Sequence, residues 1–178
     1  MRTYLKTAMM SCIVVASLGA LPAMTASAKH HSNDTDERLQ RLEDIEEIKE
    51  LKHRYGVALD GIFGDPSGAG AFVDLFVNNL QVDYDIFGTF TTKATLTTFL
   101  QTVIAPSFSW GFHVVQNSRI EVNGDVAFGE WYLTAQVVYT GGTEVVPFYG
   151  RYVDKYVRTN NGWKIKSSTL VFDPPPVP

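Results

Sequence analysis

The sequence has almost no cysteine, because Cys12 is the only one among 178 residues. Residues 1–28 read as a cleavable export signal, with positive charge in the first six positions, an apolar run over 8–21 and small residues at 25–28. Cleavage after Ala28 removes Cys12. The mature chain would then have no thiol, which excludes disulfides, cysteine nucleophiles and cysteine-ligated zinc. The signal predicts a periplasmic or secreted protein.

Basic residues are also scarce, with 15 Lys and Arg against 19 Asp and Glu and a formal charge of −4. Cleavage of the signal removes Arg2 and Lys6 and lowers the charge to −6. Such a surface repels phosphate backbones and anionic lipids, which argues against nucleic-acid and membrane partners. The apolar run over 8–21 is shorter than the roughly 20 residues that span a bilayer, so no membrane attachment is expected after cleavage.

Several motifs are missing. The sequence has no H-E-x-x-H, G-x-S-x-G, phosphate-loop or G-x-G-x-x-G pattern, so metalloprotease, α/β-hydrolase and nucleotide-binding functions lack support. No metal site is predicted, and a small-molecule substrate is the expected partner.

Aromatic residues, by contrast, are abundant, with 11 Phe, 8 Tyr and 3 Trp. After a flexible lead-in over 29–36, a domain is predicted over 37–173, followed by a proline-rich tail over 174–178. A long amphipathic helix opens the domain and ends at Gly61. Its apolar side chains recur every three or four residues: Leu39, Leu42, Ile45, Ile48, Leu51, Tyr55, Leu59 and Ile62.

The remaining pattern predicts two shorter helices and a sheet. A second helix is expected over 71–80, and a third runs from a Thr92 cap to Ile104. A first strand over 82–86 turns at Gly88 toward a partner around Phe90. Four long strands follow, separated by Asn- and Gly-containing hairpin turns: 112–122, 126–139, 145–157 and 163–172. The predicted fold class is α+β, a curved antiparallel sheet around the first helix with an apolar cavity where the two separate.

Asp60 and His113 are the candidates for acid–base chemistry. Asp60 stands at the end of the first helix, where the helix dipole disfavours a carboxylate by about 0.3–1 kcal/mol. His113 lies in an otherwise apolar strand, and period two places Asn117 on the same face. A carboxylate beside a buried imidazole fixes its tautomer and makes it a stronger general base. Solvated or structural roles remain the alternatives for both residues.

Further pocket candidates are aromatic. Tyr55 lies about 140° around the helix from Asp60, and helix curvature or fraying would be needed to bring both to one cavity edge. Aromatic walls bind flat or apolar ligands and phenols donate hydrogen bonds. The predicted substrate-binding residues are Tyr84, Asn117, Trp131, Phe148 and Tyr149.

Five stretches carry a family resemblance. Residues 42–61, with Tyr55 and Asp60, resemble the first helix of the SnoaL-like group in the nuclear-transport-factor-2-like superfamily. Residues 112–125, 129–133, 150–156 and 161–165 are similar to its strands. The resemblance covers nearly all of the mature chain and lies nearest to the scytalone dehydratase and bile acid 7α-dehydratase types.

This resemblance implies a cone-shaped fold with an internal pocket, assembled as a homotrimer or homodimer. It also implies that His113 moves protons with support from Asp60, that Tyr55 polarises a substrate oxygen, and that no cofactor or metal takes part. One position departs from the pattern. The bile acid enzyme has an arginine in its last strand where this chain has Phe172, and Arg151 is a candidate replacement.

The function expected from the sequence is a cofactor-independent lyase, a dehydratase or related eliminating enzyme. Its substrate would be a small hydroxylated aromatic or alicyclic compound. An isomerase would use the same dyad without losing a group, and an epoxide hydrolase would instead use Asp60 to hold a water. A non-catalytic exported module that binds a hydrophobic ligand is a further alternative.

Overall fold

The computed structural model of this protein describes residues 23–173. The apolar run of the predicted signal and the proline-rich tail over 174–178 lie outside the described residues. The chain divides into an N-terminal unit that ends at Glu37 and a second unit that starts at Arg38. Within residues 23–173, no helix is both long and apolar enough to cross a membrane.

Helix α1 spans Ala23–Asp60 and therefore begins earlier than the sequence pattern predicts. The backbone over 29–36 is helical, which differs from the expected flexible lead-in. The physical reason is that neither proline nor glycine occurs between Ala23 and Tyr55, so no residue interrupts the ladder of backbone hydrogen bonds.

The buried face of α1 is less apolar than expected. Ile48, Leu51 and Tyr55 are at most 1% exposed, as predicted. Two charged residues, Asp44 and Lys52, are buried on the same face. The first two residues of the predicted apolar face are not buried, because Leu39 and Leu42 are both more than half exposed.

The predicted second helix over 71–80 is wrong in its second half. Helix α2 covers only Ala69–Val73, and the chain then enters strand β1, Phe76–Asp83. Asn78 and Asn79 are poor helix formers, and β1 hydrogen-bonds in parallel to the last strand. That pairing covers an edge that would otherwise be open.

The short elements that follow agree better with the prediction. Strand β2, Thr89–Phe90, pairs antiparallel with β1. Helix α3, Lys93–Phe99, is capped by the Thr92 hydroxyl, which accepts a hydrogen bond from the backbone N of Thr95 at 3.1 Å. A π-helical turn over Leu100–Ile104 and a short helix α4, Ala105–Ser107, lead into the long strands.

Four long strands form the antiparallel meander that the turn residues predict. They are β3, Phe108–Asn123; β4, Val126–Tyr139; β5, Val146–Thr159; and β6, Gly162–Phe172. The curved sheet has the order β2-β1-β6-β5-β4-β3 and is mixed, because the β1–β6 pair is parallel. The predicted α+β class is confirmed. One face of the sheet packs on α1 and the short helices, and the candidate site lies between them.

Candidate active site

The structure brings Asp60 and His113 into contact. Asp60 is the last residue of α1, and His113 lies on β3, which passes close to the helix at Gly56. A Cβ added at Gly56 would lie 3.8 Å from the backbone oxygen of His113. Strand and helix are therefore direct neighbours at this point, and the end of the helix meets the imidazole.

The Asp60–His113 pair has the geometry of an oriented base. Oδ1 of Asp60 lies 2.6 Å from Nδ1 of His113. An ionised carboxylate only accepts hydrogen bonds, so this contact places the ring proton on Nδ1 and leaves the lone pair on Nε2. The side chains are 9% exposed for His113 and 24% for Asp60. Phe63 stacks on the imidazole with ring centroids 5.7 Å apart. The ring is therefore held on two sides.

A cavity of about 70 Å³ lies against His113. This volume holds several waters or a small organic molecule. The wall is almost wholly apolar and aromatic, with six phenylalanines: Phe63, Phe87, Phe99, Phe108, Phe148 and Phe172. Its polar side chains are His113, Tyr55, Tyr84 and Tyr152. An imidazole and three phenols therefore face an otherwise apolar space.

Tyr55 and Tyr84 are directly hydrogen-bonded inside this wall. The Tyr55 hydroxyl donates to the Tyr84 hydroxyl at 2.7 Å, and both residues are buried. Burial raises the pKa of both phenols well above the ordinary value of 10. Both therefore stay protonated at neutral pH. Because Tyr55 donates to Tyr84, the proton of Tyr84 is not used in this contact.

A separate groove of about 480 Å³ also reaches the dyad. Asp60 lines this groove but not the cavity, Tyr55 lines the cavity but not the groove, and His113 lines both. Tyr55 and Asp60 therefore border two different spaces, and His113 is the residue that the two spaces share.

Three of the predicted binding residues lie outside the cavity wall. Trp131 is buried but lines the groove, and its indole N–H donates to the Tyr156 hydroxyl at 3.0 Å. Tyr149 is 44% exposed, because neighbouring strand residues point to opposite faces and Phe148 takes the inner one. Asn117 is also exposed.

The exposure of Asn117 follows from a bulge in β3. The β3–β4 register shifts between Gln116 and Arg119, and Asn117 has φ of 52°. Asparagine tolerates this left-handed backbone better than most residues. The irregularity breaks the period of two that would have placed Asn117 on the face of His113.

Arg151 does not replace an arginine in the cavity. Its guanidinium forms a two-point ion pair with Asp173 on the exposed side of β5, at 3.0 and 3.1 Å. Phe172 lines the cavity. The cavity wall thus contains no Lys or Arg.

Two features of the site were not found in the sequence. Tyr152 is a cavity residue on β5. Behind it lies a buried ion pair in which Nζ of Lys52 is 2.8 Å from Oδ2 of Asp154. Burial lowers the pKa of Lys52, and Asp154 partly opposes this. The i, i+3 spacing of Lys52 and Tyr55 on α1 was the available signal, since it places both on one helix face.

Among the side chains that the structure describes, those of residues 34–173, no group of three His, Cys, Asp or Glu is arranged to hold a metal ion.

The family is settled by the comparison of the whole sequence with family models. Residues 40–169 match the model of the SnoaL-like domain. The chain belongs to the SnoaL-like family. The resemblance found in the sequence is therefore confirmed. No protein of the curated set matches the sequence significantly.

Solved structures of the nuclear-transport-factor-2-like superfamily share the fold. A protein from Novosphingobium aromaticivorans, provisionally named an aromatic ring hydroxylase, is 27% identical and superposes with a TM-score of 0.68 over 75% of this chain and 92% of its own. A second protein from that organism, provisionally named a scytalone dehydratase, is 25% identical with a TM-score of 0.66, over 79% and 89%.

A further structure is the hexachlorocyclohexane dehydrochlorinase LinA-type3 from Novosphingobium barchaimii. It is 17% identical, with a TM-score of 0.67 over 77% of this chain and 91% of its own. At this identity the likeness shows the fold alone. Another superfamily member from Novosphingobium aromaticivorans is described as having a cystatin-like fold, which agrees with the fold class predicted from the sequence.

Proposed function

We propose that this SnoaL-like protein is a lyase that uses the His113–Asp60 dyad, without a cofactor, to eliminate water or another small group. The observation that carries the proposal is the 2.6 Å contact between Asp60 and His113 at the wall of an apolar cavity. The contact leaves Nε2 as the basic atom of the imidazole. A base of this kind contributes about 10²–10⁴-fold to a proton transfer.

The reaction begins when Nε2 of His113 takes a proton from a carbon next to a carbonyl group. The electrons of the broken C–H bond move toward the substrate oxygen and form an enolate. Asp60 stabilises the imidazolium that results. The enolate electrons then form the new C=C bond as the C–O bond to the leaving group breaks. The leaving oxygen takes the proton back from His113, so that water departs and the base is neutral again.

Tyr84 and Tyr55 are assigned to the substrate oxygen. Charge develops on this oxygen as the enolate forms, and a fixed donor in a water-poor site stabilises such charge strongly. The Tyr84 hydroxyl would donate directly, while Tyr55 donates to Tyr84 at 2.7 Å and strengthens it as a donor.

The cavity wall supports a small, flat, mostly apolar substrate. Six phenylalanines fit an aromatic or alicyclic ring, and four polar side chains can address its oxygens. We therefore infer a hydroxylated aromatic or alicyclic compound. The names of the provisional scytalone dehydratase and of the hexachlorocyclohexane dehydrochlorinase, both eliminating activities on ring compounds, are consistent with this class.

An isomerase is the second candidate, because the same dyad can return the proton to another carbon and no group then leaves. An epoxide hydrolase is less well supported. It would need Asp60 to hold a water in the cavity, whereas Asp60 lines the groove and not the cavity.

Turnover of a panel of ring hydroxy-ketones and phenols, followed by mass spectrometry, tests the proposal. A product lighter by one water indicates a dehydratase, and a product of unchanged mass indicates an isomerase. His113→Gln should abolish turnover and keep ligand affinity, while His53→Gln, at an exposed position on α1, should change neither. Unchanged turnover in His113→Gln would remove the dyad mechanism. Ligand binding without turnover of any compound would favour a binding module.

We further propose that the chain is exported after cleavage at Ala28 and forms a homotrimer or homodimer. The outer face of the sheet supports association, since Phe112, Phe128 and Tyr132 are each at least half exposed. Intact mass of the mature protein and its mass in solution by light scattering test the two statements separately.

A further inference from the structure

Lys52 is a buried cation that the proposed chemistry does not use. Its side chain is 1% exposed and lies one helical turn before Tyr55. Nζ lies 3.7 Å from the ring centroid of Tyr152 and 4.1 Å from that of Tyr55. Tyr152 and Tyr55 both line the cavity. The ammonium therefore lies against the faces of two cavity phenols and, screened by them, does not line the cavity itself.

The ion pair that holds Lys52 is oriented. Oδ2 of Asp154, 2.8 Å from Nζ, also accepts a hydrogen bond from the Tyr156 hydroxyl at 2.6 Å. Tyr156 in turn accepts from the indole of Trp131. Oδ2 of Asp154 is thus bound by both Lys52 and Tyr156, and Nζ of Lys52 contacts the rings of Tyr55 and Tyr152.

Stability does not explain this pair well. Removing two charges from water costs several kcal/mol each, and buried pairs are often replaced by apolar residues without loss of stability. Oδ1 of Asp154 and Oγ of Ser168, which are opposite each other on β5 and β6, are buried with no hydrogen-bond partner among the described residues. The incomplete hydrogen bonding adds to the cost.

We propose that Lys52 is a positioning residue that strengthens the phenol donors of the cavity. A cation on the face of a tyrosine ring stabilises negative charge that builds up on its hydroxyl oxygen. When Tyr55 donates to Tyr84 and Tyr84 donates to a substrate oxygen, each phenol oxygen becomes more negative. Lys52 stabilises that polarised chain without touching the substrate. The inference rests on the proposed role of the cavity in binding a developing oxyanion.

The test compares two ligands of nearly equal shape. Pentafluorophenol is ionised at neutral pH and mimics the oxyanion, whereas pentafluoroanisole cannot ionise. Their affinities are measured by ¹⁹F NMR for the full chain and for Lys52→Met combined with Asp154→Asn. This double variant removes both charges and keeps an acceptor for Tyr156. Lys49→Met, at a partly exposed lysine one turn earlier that pairs with Glu46, is the matched control.

We expect the double variant to bind ionised pentafluorophenol about 3- to 30-fold more weakly than the parent does. Its affinity for pentafluoroanisole should stay within about 3-fold of the parent's. Lys49→Met should match the parent for both ligands. An equal loss for both ligands, or no loss for either, would show that the pair only fills space and would overturn the proposal.

Two other results are also decisive. If the double variant does not fold, Lys52→Met alone is measured, since a lone buried Asp154 can become neutral by taking up a proton. If neither variant folds, the pair serves stability and the inference fails. If the parent binds neither ligand, the proposed function loses its oxyanion site and this inference falls with it. The two failures are distinguishable, because the parent binds neither ligand when the proposed function fails, whereas it still binds the phenolate when only the role of Lys52 fails.

Discussion

Asp60 binds His113 through both of its carboxylate oxygens. Oδ1 contacts the ring Nδ1 at 2.6 Å, and Oδ2 accepts from the backbone N–H of the same histidine at 3.3 Å. The carboxylate therefore spans the side chain and the main chain of one residue. This arrangement fixes the imidazole relative to its own strand, so the position of Nε2 does not depend on the side-chain torsions of His113 alone.

Asp60→Asn should lower turnover by about 10²–10⁴-fold while ligand affinity stays near that of the parent, because the amide is nearly isosteric but no longer stabilises the imidazolium. Steady-state kinetics and equilibrium binding with the same compound check this. Asp65→Asn is the control, since Asp65 lies in the loop after α1 and its side chain accepts from the backbone of Ser67. Equal activity in Asp60→Asn and the parent would contradict the assignment.

Tyr84→Phe should reduce kcat more than Tyr55→Phe, because Tyr84 would touch the substrate oxygen and Tyr55 only donates to Tyr84. Loss of one donor to a developing oxyanion costs about 10²–10³-fold in comparable sites. Tyr55→Phe leaves the buried Tyr84 hydroxyl without its donor and should also lower the free energy of unfolding by about 1–3 kcal/mol. Kinetics and urea denaturation of both variants measure these effects.

Tyr139→Phe, at a residue 46% exposed on β4, serves as the control for both tyrosines. It should leave kinetics and unfolding unchanged. The reverse order of effects, with Tyr55→Phe the slower enzyme, would place the substrate oxygen at Tyr55.

Gly111→Ala should damage the site through Phe63. A Cβ at Gly111 would lie 1.8 Å from Cε2 of Phe63, the ring that stacks on His113. The ring must move, and overpacking of this kind costs about 1–3 kcal/mol. We expect a lower melting temperature and reduced turnover. Gly70→Ala is the matched control, because nothing lies within 4 Å of a Cβ there. Two variants of equal stability and activity would refute the role of Phe63.

Asp44 should make stability depend on pH in the acid range. Burial acts to raise the pKa of Asp44, but hydrogen bonds from Arg158, Trp163 and Gln40 outweigh burial and hold this pKa below its usual 3.8. The native state therefore favours the ionised form. Its contribution is present above pH 3.8 and is lost as the pH falls through the lowered native value.

Urea unfolding from neutral pH down to about pH 3 measures this contribution. Asp44→Asn should lower stability at neutral pH and make the acid-side curve flatter than that of the parent. Glu43→Gln, at the exposed neighbouring position, should keep the parent's slope. If the unfolding free energy of Asp44→Asn falls with acid pH as steeply as that of the parent, other carboxylates cause the acid sensitivity.

Local patterns in the sequence predicted most of the architecture. The long strands and their turns follow from alternating apolar residues, with glycines that take positive φ such as Gly124 and Gly162. The second helix failed because the parallel pairing of β1 with β6 is made by residues about 90 positions apart. A local sequence pattern cannot indicate a pairing between such distant residues. Asn78 and Asn79 only make the predicted helix over 71–80 less favourable.

The candidate site was predicted in part for a similar reason. Asp60, His113, Tyr55, Tyr84 and Phe148 were named from the sequence, and the structure places them at the dyad and cavity. Alternation along a strand could not place Asn117, because the bulge before Arg119 changes the face on which it lies.

The sequence by itself determined the helix and strand periods, the turns and the kind of residue that can do acid–base chemistry, because these depend on neighbours a few positions away. Only the tertiary structure decided that Asp60 reaches His113, that Tyr55 lines the cavity and not the groove, and that Lys52 is buried beside Asp154. The physical reason is that a charged side chain is expected to be solvent-exposed unless an opposite charge offsets the cost of burying it. Asp154 is separated from Lys52 by about 100 residues, and only the folded chain brings the two together.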